Sequence, residues 1–168
     1  GGSLGAKIFE EMIPRALWGI GQKINLTQQV VSDFARETLA ETYKKMNINA
    51  TLLPFVEDMS AALASADLVI ARSGASTLAE LTAAGRPAVF IPYAHHADAQ
   101  QYANASAAVD AGGAIMIDEK QGVDAAVASP TAFLAGSPDL SKMAAGMKTL
   151  GNPRAAWTLA ELIVTKAA

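Results

Sequence analysis

No cysteine occurs in the 168 residues, which removes disulfide frameworks and thiolate metal sites and leaves the redox compartment open. Although 51% of the residues are hydrophobic, no uninterrupted apolar run approaches the roughly 18 residues that cross a bilayer. No basic region leads into an apolar segment at the N-terminus, so the sequence predicts a soluble chain without a signal peptide, cytoplasmic by default. Cations are sparse: Lys7, Lys44, Lys45, Arg72 and Arg86 are scattered without forming a stripe, and the net charge is −3. Nucleic acid is therefore not an expected partner, and any phosphate bound here must be held by local dipoles. Histidine is scarce as well. His95 and His96, with Asp98 nearby, are adjacent residues that seldom face one centre, and they have no third strong ligand close by, so no metal is expected.

What is present is alternation. Apolar runs of strand length, "INLTQQV", "TLLPF", "DLVIA", "PAVFIPY" and "GAIMID", are separated by helical patterns near 6–18, 33–46, 58–66, 75–84 and 98–111. Several runs are apolar on both faces, as buried parallel strands are. Gly85 then Pro87 punctuate the end of one helix, and Gly112 and Gly113 the end of the next. After Asp118 the pattern is helical, near 123–135, 139–149 and 153–166, the last with Asn152 as cap and Pro153 at the first helical position. The fold class predicted is α/β: a Rossmann-like doubly wound parallel sheet in one domain with C-terminal helices. Ligands of such sheets lie beyond the carboxyl ends of the strands.

Three stretches fall on that edge. The first is "GGSLGA", where Gly1, Gly2 and Gly5 would let backbone amides approach a phosphate and Ser3 could add a hydroxyl donor. A tight turn with Ser3 as an ordinary cap fits equally well. A glycine turn of this kind normally follows a strand, and none precedes residue 1, so the chain is expected to be part of a longer one. No acidic residue stands about 20 positions on to hold a nicotinamide dinucleotide's ribose.

The second stretch is "ADLVIARSGASTLAEL", a strand, a small-residue turn from Ser73 through Gly74, Ala75 and Ser76 to Thr77, and a helix pointing its amides at the same edge. Two such helix ends suggest a diphosphate. Glu80 could accept hydrogen bonds from the vicinal hydroxyls of a ribose, or it could close a capping box with Thr77. The third is "PYAHHADAQQYANA", whose Gln100 and Gln101 carry amides suited to sugar hydroxyls, or to solvent on an exposed helix. Phe55 in "LLPFVEDM" stands at a strand end, where its ring could cover a flat base while the Val56 backbone pairs with the base edge; a core position is the alternative.

In order and spacing, "GGSLGA", "LPFVEDM", "ADLVIARSGASTLAEL", "AAGRPAVFIPY" and "HHADAQQYANA" resemble the C-terminal half of the MurG-type glycosyltransferases of peptidoglycan synthesis. The resemblance covers residues 1 to about 118, and beyond that only the helical character matches. It implies one half of a two-domain GT-B architecture: a UDP-N-acetylglucosamine-binding domain over residues 1–168, with the acceptor domain absent from this chain. It further implies that Ser3 and the amides of Ser73, Gly74, Ala75, Ser76 and Thr77 face the diphosphate, and that Phe55 and Val56 frame the uracil. Glu80 would hold the ribose, and Gln100 and Gln101 the sugar.

The implied reaction is inverting transfer of N-acetylglucosamine to lipid I, giving lipid II, with no metal or other cofactor. The general base, the lipid I site and peripheral attachment to the inner membrane would belong to the absent half, leaving the isolated domain inactive. A stand-alone donor subunit of a split glycosyltransferase and half of a UDP-sugar epimerase are the alternative readings.

Overall fold

The computed structural model describes residues 7–20, 23–93, 99–121 and 123–167. Among these, strands and helices alternate: α1 (Lys7–Leu17), β1 (Asn25–Gln29), α2 (Asp33–Lys45), β2 (Asn49–Leu53), α3 (Met59–Ser65), β3 (Val69–Ala71), α4 (Ala75–Ala84), β4 (Ala88–Phe90), α5 (Gln100–Asp110) and β5 (Ala114–Met116). A 3-10 turn at Glu119–Gln121 leads to α6 (Val123–Ala135), α7 (Leu140–Leu150) and α8 (Ala155–Ala167).

All strand pairing is parallel, in two ladders: β1 with β2, and β3, β4, β5 in that order. In a doubly wound sheet of order 3-2-1-4-5-6 the first strand stands in the centre. The two ladders occupy the places of strands 3-2 and 4-5-6, and no described strand stands between them. Side chains nevertheless join the halves. Leu26 of β1, Leu52 of β2, Ile70 of β3, Val89 of β4 and Ile115 of β5 pack into one apolar cluster with Phe9, Met12 and Ile13 of α1 and Leu39 and Tyr43 of α2.

The opposite face has its own cluster, in which Ala88 and Phe90 of β4 meet Leu63 of α3, Leu81 of α4, Ala105 and Ala108 of α5 and Met147 of α7. Alternate residues of β4 thus point to opposite faces, and all three are fully buried. This is why "AVF" carries no polar position. Burial of Phe90 alone contributes roughly 1.5–3 kcal/mol.

Local chemistry sets the helix limits. Ser32 Oγ accepts from the Ala35 N–H (3.1 Å) to begin α2, and Asp58 Oδ1 accepts from the Ala61 N–H (2.8 Å) to begin α3. Gly85 ends α4 in the left-handed conformation (φ 62), as its place before Pro87 predicts. Arg86 donates to the carbonyls of Ala64 and Ala66 at the C-terminal end of α3, where a cation suits the helix dipole.

Of the two glycines expected to stop α5, Gly112 is left-handed (φ 71) and Gly113 is not. Gly113 is needed for space, since a Cβ there would meet Met147 of α7 at 2.6 Å. Asn152 Oδ1 accepts the Arg154 N–H (3.1 Å) in the turn ahead of α8, which begins at Ala155 and so two residues after Pro153, the expected first helical position.

Candidate functional site

In a parallel sheet every following helix starts at the carboxyl edge, and three of four strand ends lead into residues singled out by sequence, the end of β5 being the exception. Leu53 of β2 runs into Phe55, Ala71 of β3 into Ser73 and Gly74, Phe90 of β4 toward Gln100, and Met116 of β5 into Asp118. Two helices begin here on N-cap residues whose own side chains make no capping bond, among the described residues. The N-cap of α4 is Gly74, in extended backbone (φ −63, ψ 155), and that of α5 is Ala99, in the left-handed region (φ 49, ψ 18). The first intrahelical bond of α4 runs from the Leu78 N–H to the Gly74 carbonyl (2.9 Å). The N–H groups of Ala75, Ser76 and Thr77 therefore have no intrahelical acceptor, and they face outward with the positive end of the helix dipole.

This start point corrects the capping-box alternative. With Gly74 as cap and Ala75 first in the helix, Thr77 lies inside the first turn and cannot be the N-cap that such a box requires. Glu80, in the second turn and exposed, is free of that role.

Ser73 is fully buried, and its hydroxyl donates to the Gln101 carbonyl (2.7 Å), while Asn104 Nδ2 donates to the Ser73 carbonyl (2.9 Å). Its side chain thus ties the end of β3 to α5, and its hydroxyl proton is already committed. Gln101 accepts the Tyr93 N–H at Oε1 (2.9 Å), which anchors the strand end to the helix that follows. Gln100, at the first position of α5, is exposed.

Phe55 is 65% exposed, which overturns the core alternative for it, and the half-buried Val56 follows. Its turn is held by Gln29 Nε2, which donates to the Pro54 carbonyl (3.1 Å). Ser3 and the glycine turn of residues 1–5 lie outside the described residues, as do His95, His96 and Asp98.

The structure also assembles groups that sequence spacing did not bring together. Arg72 Nη1 donates to the carbonyls of Ile91 (2.9 Å) and Pro92 (3.1 Å) and to Glu119 Oε2 (2.6 Å), and Nη2 donates to Glu119 Oε1 (3.1 Å). The guanidinium also lies over the rings of Phe9 (5.6 Å) and Tyr93 (5.3 Å). Beside it the Tyr102 hydroxyl donates to Asp118 Oδ1 (2.5 Å). Burial, then this bond, pushes the Tyr102 phenol up to about 12. The same bond, with the Lys120 N–H, holds the Asp118 carboxyl below the usual carboxylate range.

A cavity of 980 Å³ lies elsewhere, at the amino ends of β1 and β2, lined among others by Trp18, Lys23, Tyr43, Lys44 and Lys45. It is walled by the C-terminal ends of α1 and α2, whose dipoles repel an anion.

With this geometry, residues 1–164 match the glycosyltransferase family 28 C-terminal domain. A relative from Nitrobacter hamburgensis, named UDP-N-acetylglucosamine--N-acetylmuramyl-(pentapeptide) pyrophosphoryl-undecaprenol N-acetylglucosamine transferase, is 39% identical over 170 residues, covering 98% of this chain and 45% of its own length. One of the same name from Rhodospirillum centenum is 40% identical over 168 residues, covering 98% and 44%. The crystal structure of Acinetobacter baumannii MurG superimposes with a TM-score of 0.86 at 30% identity, over 98% of this chain and 48% of that one. The chain spans about half the length of the relatives it matches. It belongs to the glycosyltransferase family 28 C-terminal domain family.

Proposed function

We propose that this chain is the donor-binding domain of an inverting N-acetylglucosaminyltransferase that takes UDP-N-acetylglucosamine. The observation that carries the reading is the pair of helices, α4 and α5, that begin at the carboxyl edge on Gly74 and Ala99, N-caps with no side-chain capping bond, together with the exposed ring of Phe55 beyond the end of β2. The dipoles and amides of the two ends suit a diphosphate, an exposed ring suits a flat base, and the carboxylate of Glu80 suits the ribose diol. Gln100 and Gln101 stand at the start of α5, where a sugar attached to that diphosphate would lie. The relatives' names supply the sugar and the acceptor.

In the proposed reaction a hydroxyl of the lipid-linked acceptor attacks C1 of the sugar on the face opposite the diphosphate. The C1–O bond to the β-phosphate breaks, a base takes the hydroxyl proton, and UDP leaves. This chain's share is electrostatic: fixed amides meet the charge that grows on the departing phosphate, a kind of contribution worth roughly 2.7–4 kcal/mol per well-placed donor. The base, the lipid acceptor and attachment to the cytoplasmic face of the membrane are assigned to a partner domain. Among the described residues no helix is long and apolar enough to cross a membrane.

Titration calorimetry with UDP-N-acetylglucosamine at millimolar protein tests the reading, and an absence of heat would sink it. Glu80→Ala is expected to weaken UDP binding by about 1–3 kcal/mol, the cost of leaving hydrogen-bonding groups without partners. Unchanged affinity in a folded variant would remove Glu80 from the site.

A further inference from the structure

We infer that Arg72 is a positioning residue for the donor sugar, fixing the start of α5 against the start of α4 so that the two helix starts meet one ligand. The inference rests on the donor-binding reading above and adds a residue to it. The β3–β4–β5 ladder ends with the Ile91 N–H on the Ala71 carbonyl (3.0 Å) and the Ile117 N–H on the Phe90 carbonyl (2.9 Å). Beyond that point the carbonyls of Ile91 and Pro92 have no strand to pair with among the described residues, and the Arg72 guanidinium takes both.

The next N–H, that of Tyr93, is held by Gln101 Oε1. Ser73, the residue after Arg72, holds the backbone carbonyl of that same Gln101. Two adjacent residues thus grip the β4–α5 segment from both ends, and Gly74 directly after them opens α4. Glu119 fixes the guanidinium in turn: the Arg72 side chain is 11% exposed and that of Glu119 20%, and both carboxylate oxygens are engaged.

The chemistry calls for arginine. A planar fork can reach two carbonyls and a carboxylate at once while lying against two rings, whereas an ammonium is a point charge that cannot span them. If Arg72 only stabilised the fold, its loss would reduce the amount of active protein and nothing else. If it positions the sugar, its loss alters how well the site tells one sugar from another, a ratio that does not depend on how much protein is active.

The experiment compares kcat/KM for UDP-N-acetylglucosamine and for its C4 epimer, UDP-N-acetylgalactosamine, in the full-length protein and its Arg72→Met, Arg72→Lys and Glu119→Gln variants. Amide hydrogen exchange at Tyr93 is followed in parallel. Arg72→Met is expected to lower the preference for the natural epimer about tenfold or more, since misplacement by ~1 Å is worth up to about 100-fold, and to expose the Tyr93 amide to exchange. Arg72→Lys should fall between Met and wild type.

Selectivity equal to wild type in folded Arg72→Met, or unchanged exchange at Tyr93, overturns the inference. Should Arg72→Met fail to fold, Glu119→Gln, which keeps an acceptor but loses the charge, must show the same shift in smaller measure, and no shift there overturns it equally. A wild-type protein that ignores UDP-N-acetylglucosamine sinks the functional reading instead, and the Tyr93 exchange still decides whether Arg72 fixes the start of α5.

Discussion

The two halves of the molecule start their helices differently. Beside β1 and β2, α2 and α3 begin on Ser32 and Asp58, whose side chains each accept an amide of the first turn, that of Ala35 and that of Ala61. Beside β3 and β4, α4 and α5 begin on Gly74 and Ala99, which have nothing to offer. The sheet edge is the same and so is the helix dipole, so geometry alone does not make a site. What separates the halves is whether the N-cap residue carries a side chain that accepts a helix amide. An aspartate or serine at an N-cap contributes about 1 kcal/mol, and the β3–β5 half forgoes that contribution twice.

Closing an open end should give the largest effect. Gly74 has ordinary extended backbone, and a Cβ there would have Thr77 Oγ1 at 4.0 Å as its nearest contact, so Gly74→Asp fits without strain. Its carboxylate would cap α4 from within, changing stability by only a few tenths of a kcal/mol while weakening UDP binding by about 1.5–3 kcal/mol, the worth of a hydrogen bond to a charged group. Thermal denaturation and calorimetry on one sample measure both, and retained binding would break the comparison.

The closed half keeps its polar groups paired inside: the Tyr43 hydroxyl, fully buried, donates to Gln28 Oε1 (2.6 Å). Tyr43→Phe leaves that oxygen without its donor and should cost about 1–3 kcal/mol in denaturant unfolding, with UDP affinity unchanged. Opening a closed end is smaller still. Ser32→Ala should lower stability by about 1 kcal/mol without creating nucleotide affinity; a gain in binding would mean that an uncapped end is sufficient by itself.

The smallest effect is in pH. Because the Tyr102 hydroxyl and the Lys120 N–H hold Asp118 below the ordinary carboxylate range, its stabilising share is complete above about pH 4 and is lost as pH falls through the lowered value. The difference in Tm between wild type and Asp118→Asn should therefore shrink on acidification, and a constant difference would show that the charge of Asp118 does not matter.

Much of the fold was legible because the runs obey simple periods. "AVF" is apolar throughout because its faces meet two different clusters, and α4 spans 75–84 as its punctuation predicts. The candidate site was legible as a set of loops rather than as contacts. The Thr77 box failed because the strand-to-helix turn closes at Gly74, three residues earlier, a matter of backbone geometry that spacing does not encode. Arg72 looked like one more scattered cation because its partners stand at positions 9, 91, 92, 93 and 119. Only the stacking of strand ends brings them together. The separation of the sheet into two ladders was likewise invisible, since each strand by itself is ordinary.

Ala99 carries a final consequence. A side chain in the left-handed region costs about 1–2 kcal/mol, and Ala99 bears that strain at the start of α5 in this structure. If the bound state keeps this φ, the conformational cost of shaping this end of the edge is met during folding and not during association. Selection for thermostability at this residue and selection for tight binding would pull in opposite directions, a conflict between two fitness terms written into a single φ angle.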